Sequence, residues 1–81
     1  MIMVDVEVFL LDRIYDFELD ENAAAGEVKE KIIKLIEENL KIRRAEGEEM
    51  ELYALRQEKI LNDKMTSAQQ GVQNGDRLVL I

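Results

Sequence analysis

Residues 2–19 read Ile2-Met3-Val4-Asp5-Val6-Glu7-Val8-Phe9-Leu10-Leu11-Asp12-Arg13-Ile14-Tyr15-Asp16-Phe17-Glu18-Leu19. Over residues 2–11, Ile2, Val4, Val6, Val8 and Leu10 fall on one side, and Met3, Asp5, Glu7 and Phe9 on the other. A period of two rich in β-branched residues predicts a half-buried strand. After a turn at Asp12-Arg13, Tyr15, Phe17 and Leu19 alternate with Ile14, Asp16, Glu18 and Asp20. That pattern predicts a second strand and therefore a hairpin.

Downstream the period changes. Ala25, Val28, Ile32, Leu35, Ile36 and Leu40 recur at helical spacing, which predicts an amphipathic helix opened by Asn22 as its cap and ended by Asn39 or Gly47. Residues 45–51 read as a polar loop. Residues 52–55 read as a third strand, residues 56–59 as a turn, and Ile60-Leu61 as a very short strand. Residues 62–70 are polar, with one short helical turn. Gly71 and Asn74-Gly75 mark places that call for positive φ. Residues 77–81 close the chain as a last strand. Two strands, a helix and two or three further strands predict an α+β domain: a mixed sheet of four to five strands packed on one helix, with residues 1–81 as a single domain. Its core is expected to rest on Val4, Val6, Phe17, Val28, Ile32, Leu52, Leu78 and Leu80.

Composition excludes several chemistries. The 81 residues contain no Cys and no His, which removes thiol redox, zinc-finger and Ser–His–Asp-type sites. No cofactor and no metal site is expected, and no loop shows calcium-type spacing. Of the formal charge of −7, all lies in residues 1–28. There Asp5, Glu7, Asp12, Asp16, Glu18, Asp20, Glu21 and Glu27 face a single base, Arg13. An acidic chain is a poor ligand for phosphate backbones, so no nucleic-acid partner is expected. No signal peptide or membrane span is legible, which leads us to expect a cytoplasmic protein without membrane insertion.

The order of elements and their spacing resemble the ubiquitin-like β-grasp family. The likeness is carried by Tyr15-x-Phe17-x-Leu19, Ala25 and Val28-Lys29-x-Lys31-Ile32, then by Leu52-Tyr53-Ala54-Leu55 with its four-residue turn to Ile60-Leu61. The stretch Gly71-Val72-Gln73-Asn74-Gly75-Asp76-Arg77-Leu78 is similar to the Gly-Ile-x-Asn-Gly-Asp-Arg-Leu ending of the small bacterial YukD/EsaB type, accessory components of type VII (WXG100) secretion systems. One departure is Ser67, which stands where the family usually has an apolar residue; Met65 is expected to fill that place through a shifted local winding.

The resemblance implies a non-catalytic, accessory or regulatory protein–protein interaction module of a bacterial secretion system. Its partners would be proteins, secretion-machinery components among them. Conjugated relatives end in a flexible Gly-Gly tail, whereas this sequence ends at Ile81 with no Gly after Gly75, so covalent attachment to targets is not expected. Two alternatives stay open: a modifier or sulfur carrier with a processed C-terminus, and a stand-alone domain that homodimerises. Alternation sends Tyr53, Leu55, Val79 and Ile81 to the outer face of the sheet as one apolar patch, and sends Asp5, Glu7, Asp16 and Glu18 to the same face. These eight residues are the candidate protein-binding surface. The basic stretch Lys41, Arg43 and Arg44 beside Glu46, Glu48, Glu49 and Glu51 reads as a self-neutralising surface.

Overall fold

The alternation of residues 2–19 becomes an antiparallel hairpin of β1 (Ile2–Val8) and β2 (Arg13–Leu19), paired in register from Ile2 opposite Leu19 to Val8 opposite Arg13. The computed structural model describes residues 1–40 and 49–81. Val4, Val6, Val8 and Leu19 are buried on the inner face, as the alternation predicts. Leu10 departs from it. Phe9–Leu11 winds into a single 3-10 turn closed by Asp12 in the left-handed region at φ 50°, a conformation that a short polar side chain tolerates better than most. The turn breaks the period of two, and Leu10 ends 69% exposed.

The helix α1 spans Ala25–Leu40. Asn22 does not cap it; its N–H donates to Asp20 Oδ1 within the preceding turn. The first free helix amides find acceptors in a distant loop instead. Ala25 N–H donates to the Met65 carbonyl at 2.8 Å and Gly26 N–H to the Asp63 carbonyl at 3.0 Å, so backbone carbonyls do what a side-chain cap would otherwise do. Lys29 reinforces the joint by donating to both carboxylate oxygens of Asp63, at 2.9 and 3.1 Å.

The buried arc of α1 is Ala25, Val28, Lys29, Ile32, Ile33 and Ile36. It corrects the expected stripe at one position. At about 100° per residue, Leu35 falls at the edge of the arc and is 46% exposed, while Ile33 is buried in its place. The helix is described one residue past Asn39. Gly47, the other expected stop, and the basic stretch Lys41, Arg43 and Arg44 with Glu46 and Glu48 lie outside the described residues.

The C-terminal half adds β3 (Leu52–Ala54), β4 (Lys59–Ile60) and β5 (Arg77–Leu80). The five strands run in the order β2-β1-β5-β3-β4. The central pair β1 and β5 is parallel and the other pairs are antiparallel. One helix packed on a five-stranded mixed sheet is the predicted architecture, a ubiquitin-like β-grasp. Val4, Val6, Ile32, Leu52, Leu78 and Leu80 form the driest part of the core.

Phe17, expected in that core, only packs against it half-buried, because β2 is an edge strand with no neighbour on its outer side. Tyr15 is likewise half-buried and meets Phe17 edge-on at 6.4 Å. Ser67 corrects another expectation. It is itself fully buried, and Met65 stays outside. The Met65 carbonyl is held by Ala25 N–H and the Ala24–Thr66 bridge fixes the flanking backbone, and the buried apolar residues on either side of this segment are Leu61 and Val72.

Both expected positive-φ sites are left-handed, Gly71 at 84° and Gly75 at 87°. At Asn74-Gly75 the turn is stitched to β1: Gly75 N–H donates to the Met3 carbonyl at 2.7 Å, and Asn74 Oδ1 accepts Met3 N–H at 2.9 Å. Asp76 locks the neighbouring loop. Its carboxylate accepts Arg56 Nε and Nη2 at 2.9 and 3.0 Å, Gln57 Nε2 at 3.1 Å and Gln73 N–H at 2.9 Å. The Arg56 guanidinium, aided by the other donors and against the cost of burial, holds the Asp76 carboxyl down at about 2.

Candidate functional site

The inner face of the sheet is filled by α1, so a contact surface has to be sought on the outer face. Register builds that face row by row. In one row Ile14 lies opposite Glu7, Glu7 beside Val79, Val79 opposite Tyr53, and Tyr53 opposite Ile60. In the next row Asp16 lies opposite Asp5, Asp5 beside Arg77, and Leu55 N–H donates to the Arg77 carbonyl at 3.1 Å. Ile81 continues the row pattern at the end of β5, exchanging both backbone hydrogen bonds with Glu51 at 2.8 and 2.9 Å.

The structure therefore brings Tyr53, Leu55, Val79 and Ile81 together at the β5–β3 side of the outer face. Tyr53 and Val79 are half-buried between their neighbours, whereas Leu55 is 49% exposed and Ile81 43%. Ile60, 52% exposed, extends this patch across β4. It was not among the expected site residues, because a two-residue strand is too short for alternation to fix its phase. The loop 62–70 does not cover the patch; its backbone is spent at the start of α1 and on the carbonyl of Glu21.

The four acids do not form one cluster. Glu7 is inserted between Ile14 and Val79, inside the apolar row, and Glu18 lies opposite Met3. Asp5 and Asp16 face each other directly. The hydrogen bond shared with Asp5, together with repulsion from that second carboxylate, raises the Asp16 carboxyl above its ordinary value. Arg77 offsets part of this charge through a 3.6 Å contact with Asp5. The acids of the outer face thus lie on β2 and β1, interspersed with the exposed Ile14 and Met3, and meet the apolar patch of β5, β3 and β4 at Glu7–Val79 and Asp5–Arg77. Among the described residues no group of three or more His, Cys, Asp or Glu is placed to hold a metal ion. No described helix is long and apolar enough to cross a membrane.

Known proteins resemble this chain in family and in fold. The model of a family described as "WXG100 protein secretion system (Wss), protein YukD" matches residues 3–80. Among solved structures, a chain of the MycP5-free ESX-5 inner membrane complex superposes with a TM-score of 0.82 at 21% identity, over 99% of this chain and 20% of that one. The ubiquitin-like domain of an Arabidopsis thaliana protein superposes with a TM-score of 0.73 at 20% identity, over 99% of this chain and 74% of the other. A chain in the structure of ATBAG1 in complex with HSP70 gives 0.71 at 21% identity, over 100% of this chain and 40% of that chain. None of the curated proteins compared with the sequence matches it.

Proposed function

This chain belongs to the YukD family of WXG100 secretion-system proteins, and we propose that it is a non-catalytic adaptor that docks non-covalently on another component of such a system. The observation that carries this reading is the outer face. Leu55, Ile60 and Ile81 stand about half-exposed around Tyr53 and Val79, on a sheet whose other side is already filled. A contiguous apolar patch on a small domain is unfavourable in water unless a partner covers it. Arg77, Asp5 and Glu7 border the patch and supply the polar rim that a protein interface uses for orientation.

The shared fold with part of a chain in an inner membrane complex supports a partner of the same kind, a membrane-embedded secretion component presenting an apolar surface. On this reading Tyr53, Leu55, Val79 and Ile81 make the central contact. Asp5, Glu7, Asp16 and Glu18 steer a basic region of the partner toward it. The formal charge of −7 works against a homodimer through mutual repulsion.

The test is genetic and biochemical together. In the native host, deletion should reduce export of the WXG100 protein without reducing its synthesis. The tagged chain should recover a membrane component of the system without a covalent adduct. Unchanged export in the deletion strain, or recovery only of the chain itself, would overturn the proposal.

A further inference from the structure

The Asn74-Gly75 turn carries chemistry as well as shape, and from it we infer a covalent modification site: Asn74 converts to aspartate or isoaspartate through attack by its own backbone, and the pairing of the turn with Met3 on β1 governs when it does. Of the four asparagines, Asn22, Asn39, Asn62 and Asn74, only Asn74 precedes a glycine. Asparagine is a thermolabile residue, and the next backbone nitrogen is its nucleophile. A following glycine leaves that nitrogen without a Cβ beside it to hinder the attack. Asn74 and Gly75 are both exposed, so solvent base and water reach them.

The reaction needs water and a solvent base, and nothing else. The base takes the Gly75 amide proton. The nitrogen then attacks Asn74 Cγ, a C–N bond forms, and Nδ2 takes up a proton and leaves as ammonia. Water opens the resulting five-membered imide at either of its two carbonyls. Opening at Cγ gives aspartate. Opening at the main-chain carbonyl gives isoaspartate, with the chain now running through Cγ.

The fold withholds both reacting groups. Gly75 N–H donates to the Met3 carbonyl at 2.7 Å, so the proton that must leave is engaged. Asn74 Oδ1 accepts Met3 N–H at 2.9 Å, which anchors the carbonyl that must turn onto the Gly75 nitrogen. One residue thus holds nucleophile and electrophile, and it does so beyond the end of the β1–β5 ladder, which begins at Asp5–Arg77. Release of Met3 from the turn frees both groups together, and local openings of this kind do not require global unfolding. The two products differ in effect. Aspartate keeps the backbone and an acceptor for Met3 N–H. Isoaspartate inserts Cβ into the main chain ahead of Gly75. That shifts Gly75 N–H off the Met3 carbonyl and disturbs the neighbouring bond from Asp5 N–H to the Asp76 carbonyl at 3.0 Å. A transient opening at β1 is thereby fixed as a permanent loosening of the β1–β5 seam, whatever docks on the outer face.

The experiment incubates the whole chain in mildly alkaline buffer, folded and in urea, and follows it by intact mass and by peptide mapping that separates aspartate from isoaspartate. In urea, both products should accumulate at residue 74 ahead of the other three asparagines, and Gly75→Ala should slow their formation. In the folded chain the rate at Asn74 should be lower by about tenfold or more, as the loss of two ordinary hydrogen bonds on opening implies. Hydrogen exchange read by NMR gives an independent value. Exchange at Gly75 N–H should be slowed by the same factor as the modification, because both require release of the same hydrogen bond. Met3→Pro removes the N–H that holds Asn74 Oδ1, and in a variant shown to be folded by circular dichroism it should speed the reaction; if that variant does not fold, the exchange comparison decides. Isoaspartate product refolded from urea should melt below the parent. The assignment is overturned if the folded chain reacts as fast as the unfolded one, if the two slowing factors differ, if product appears first at another asparagine, or if folded Met3→Pro reacts at the parent's rate. An isoaspartate form that melts with the parent would overturn the loosening of the seam.

Discussion

Replacing Asp76 with Asn should remove a large share of the domain's stability at neutral pH, and the loss should fade in acid. The Asp76 side chain is 9% exposed and accepts four hydrogen bonds, two of them from the Arg56 guanidinium. Its carboxyl is held at about 2, against an ordinary value of 3.8. At about 1.36 kcal/mol per pH unit, that gap corresponds to roughly 2.5 kcal/mol of stability. Because the folded value is the lower one, this contribution is fully present above about pH 4 and disappears as pH falls through about 2. In a domain of this size it corresponds to roughly 10–20 °C in melting temperature. Urea melts of parent and variant, followed by circular dichroism at several pH values between 7 and 2, measure the difference directly. Other carboxylates titrate in both proteins and cancel in the difference. A difference that stays constant from pH 7 to pH 2, or that is under about 0.5 kcal/mol at pH 7, would refute the reasoning.

Three further outcomes are expected. Gly75→Ala should cost about 1–2 kcal/mol through backbone strain alone, since no atom beyond its own chain neighbours lies within 4 Å of the added Cβ; a thermal melt equal to the parent's would contradict this. Ile33→Ala should cost about 2–5 kcal/mol, whereas Leu35→Ala should be near neutral, so equal losses in the two urea melts would restore Leu35 to the core. Asp16→Asn should stabilise the domain at pH 7 by relieving the contact with Asp5, because a carboxyl raised in the folded state opposes folding once it is ionised. That gain should vanish as the pH falls into the carboxylate range and Asp16 takes up its proton, and a gain independent of pH would point to another cause.

The hairpin, the inward set Val4, Val6 and Val8, and the two left-handed glycines were legible because their signals are local: a period of two, or a residue type that tolerates positive φ. The helix was legible in its apolar period but not in detail. Its first amides are satisfied by carbonyls of Asp63 and Met65, far along the chain, and no local pattern at Asn22 reveals that. The same docking buries Ser67 and leaves Met65 outside. Leu35 sits at the margin of the apolar arc, where only packing decides. On the outer face, alternation placed Tyr53, Leu55, Val79 and Ile81 on one side. It could not place Ile60 on a two-residue strand, nor reveal that Asp5 faces Asp16 while Glu7 interrupts the apolar row. Those relations depend on register between strands. The Arg56–Asp76 pair joins two turns and carries no spacing rule that a sequence could display.

The most direct test of the central claim is the binding of Leu55→Asp to the membrane component recovered with the parent chain. Leu55 is 49% exposed, so the variant should keep the parent's circular dichroism and melt within about 0.5 kcal/mol of it. Burying an unpaired carboxylate in an interface costs several kcal/mol, so affinity should fall about 100-fold or more. A folded Leu55→Asp chain that binds with the parent's affinity would contradict the account.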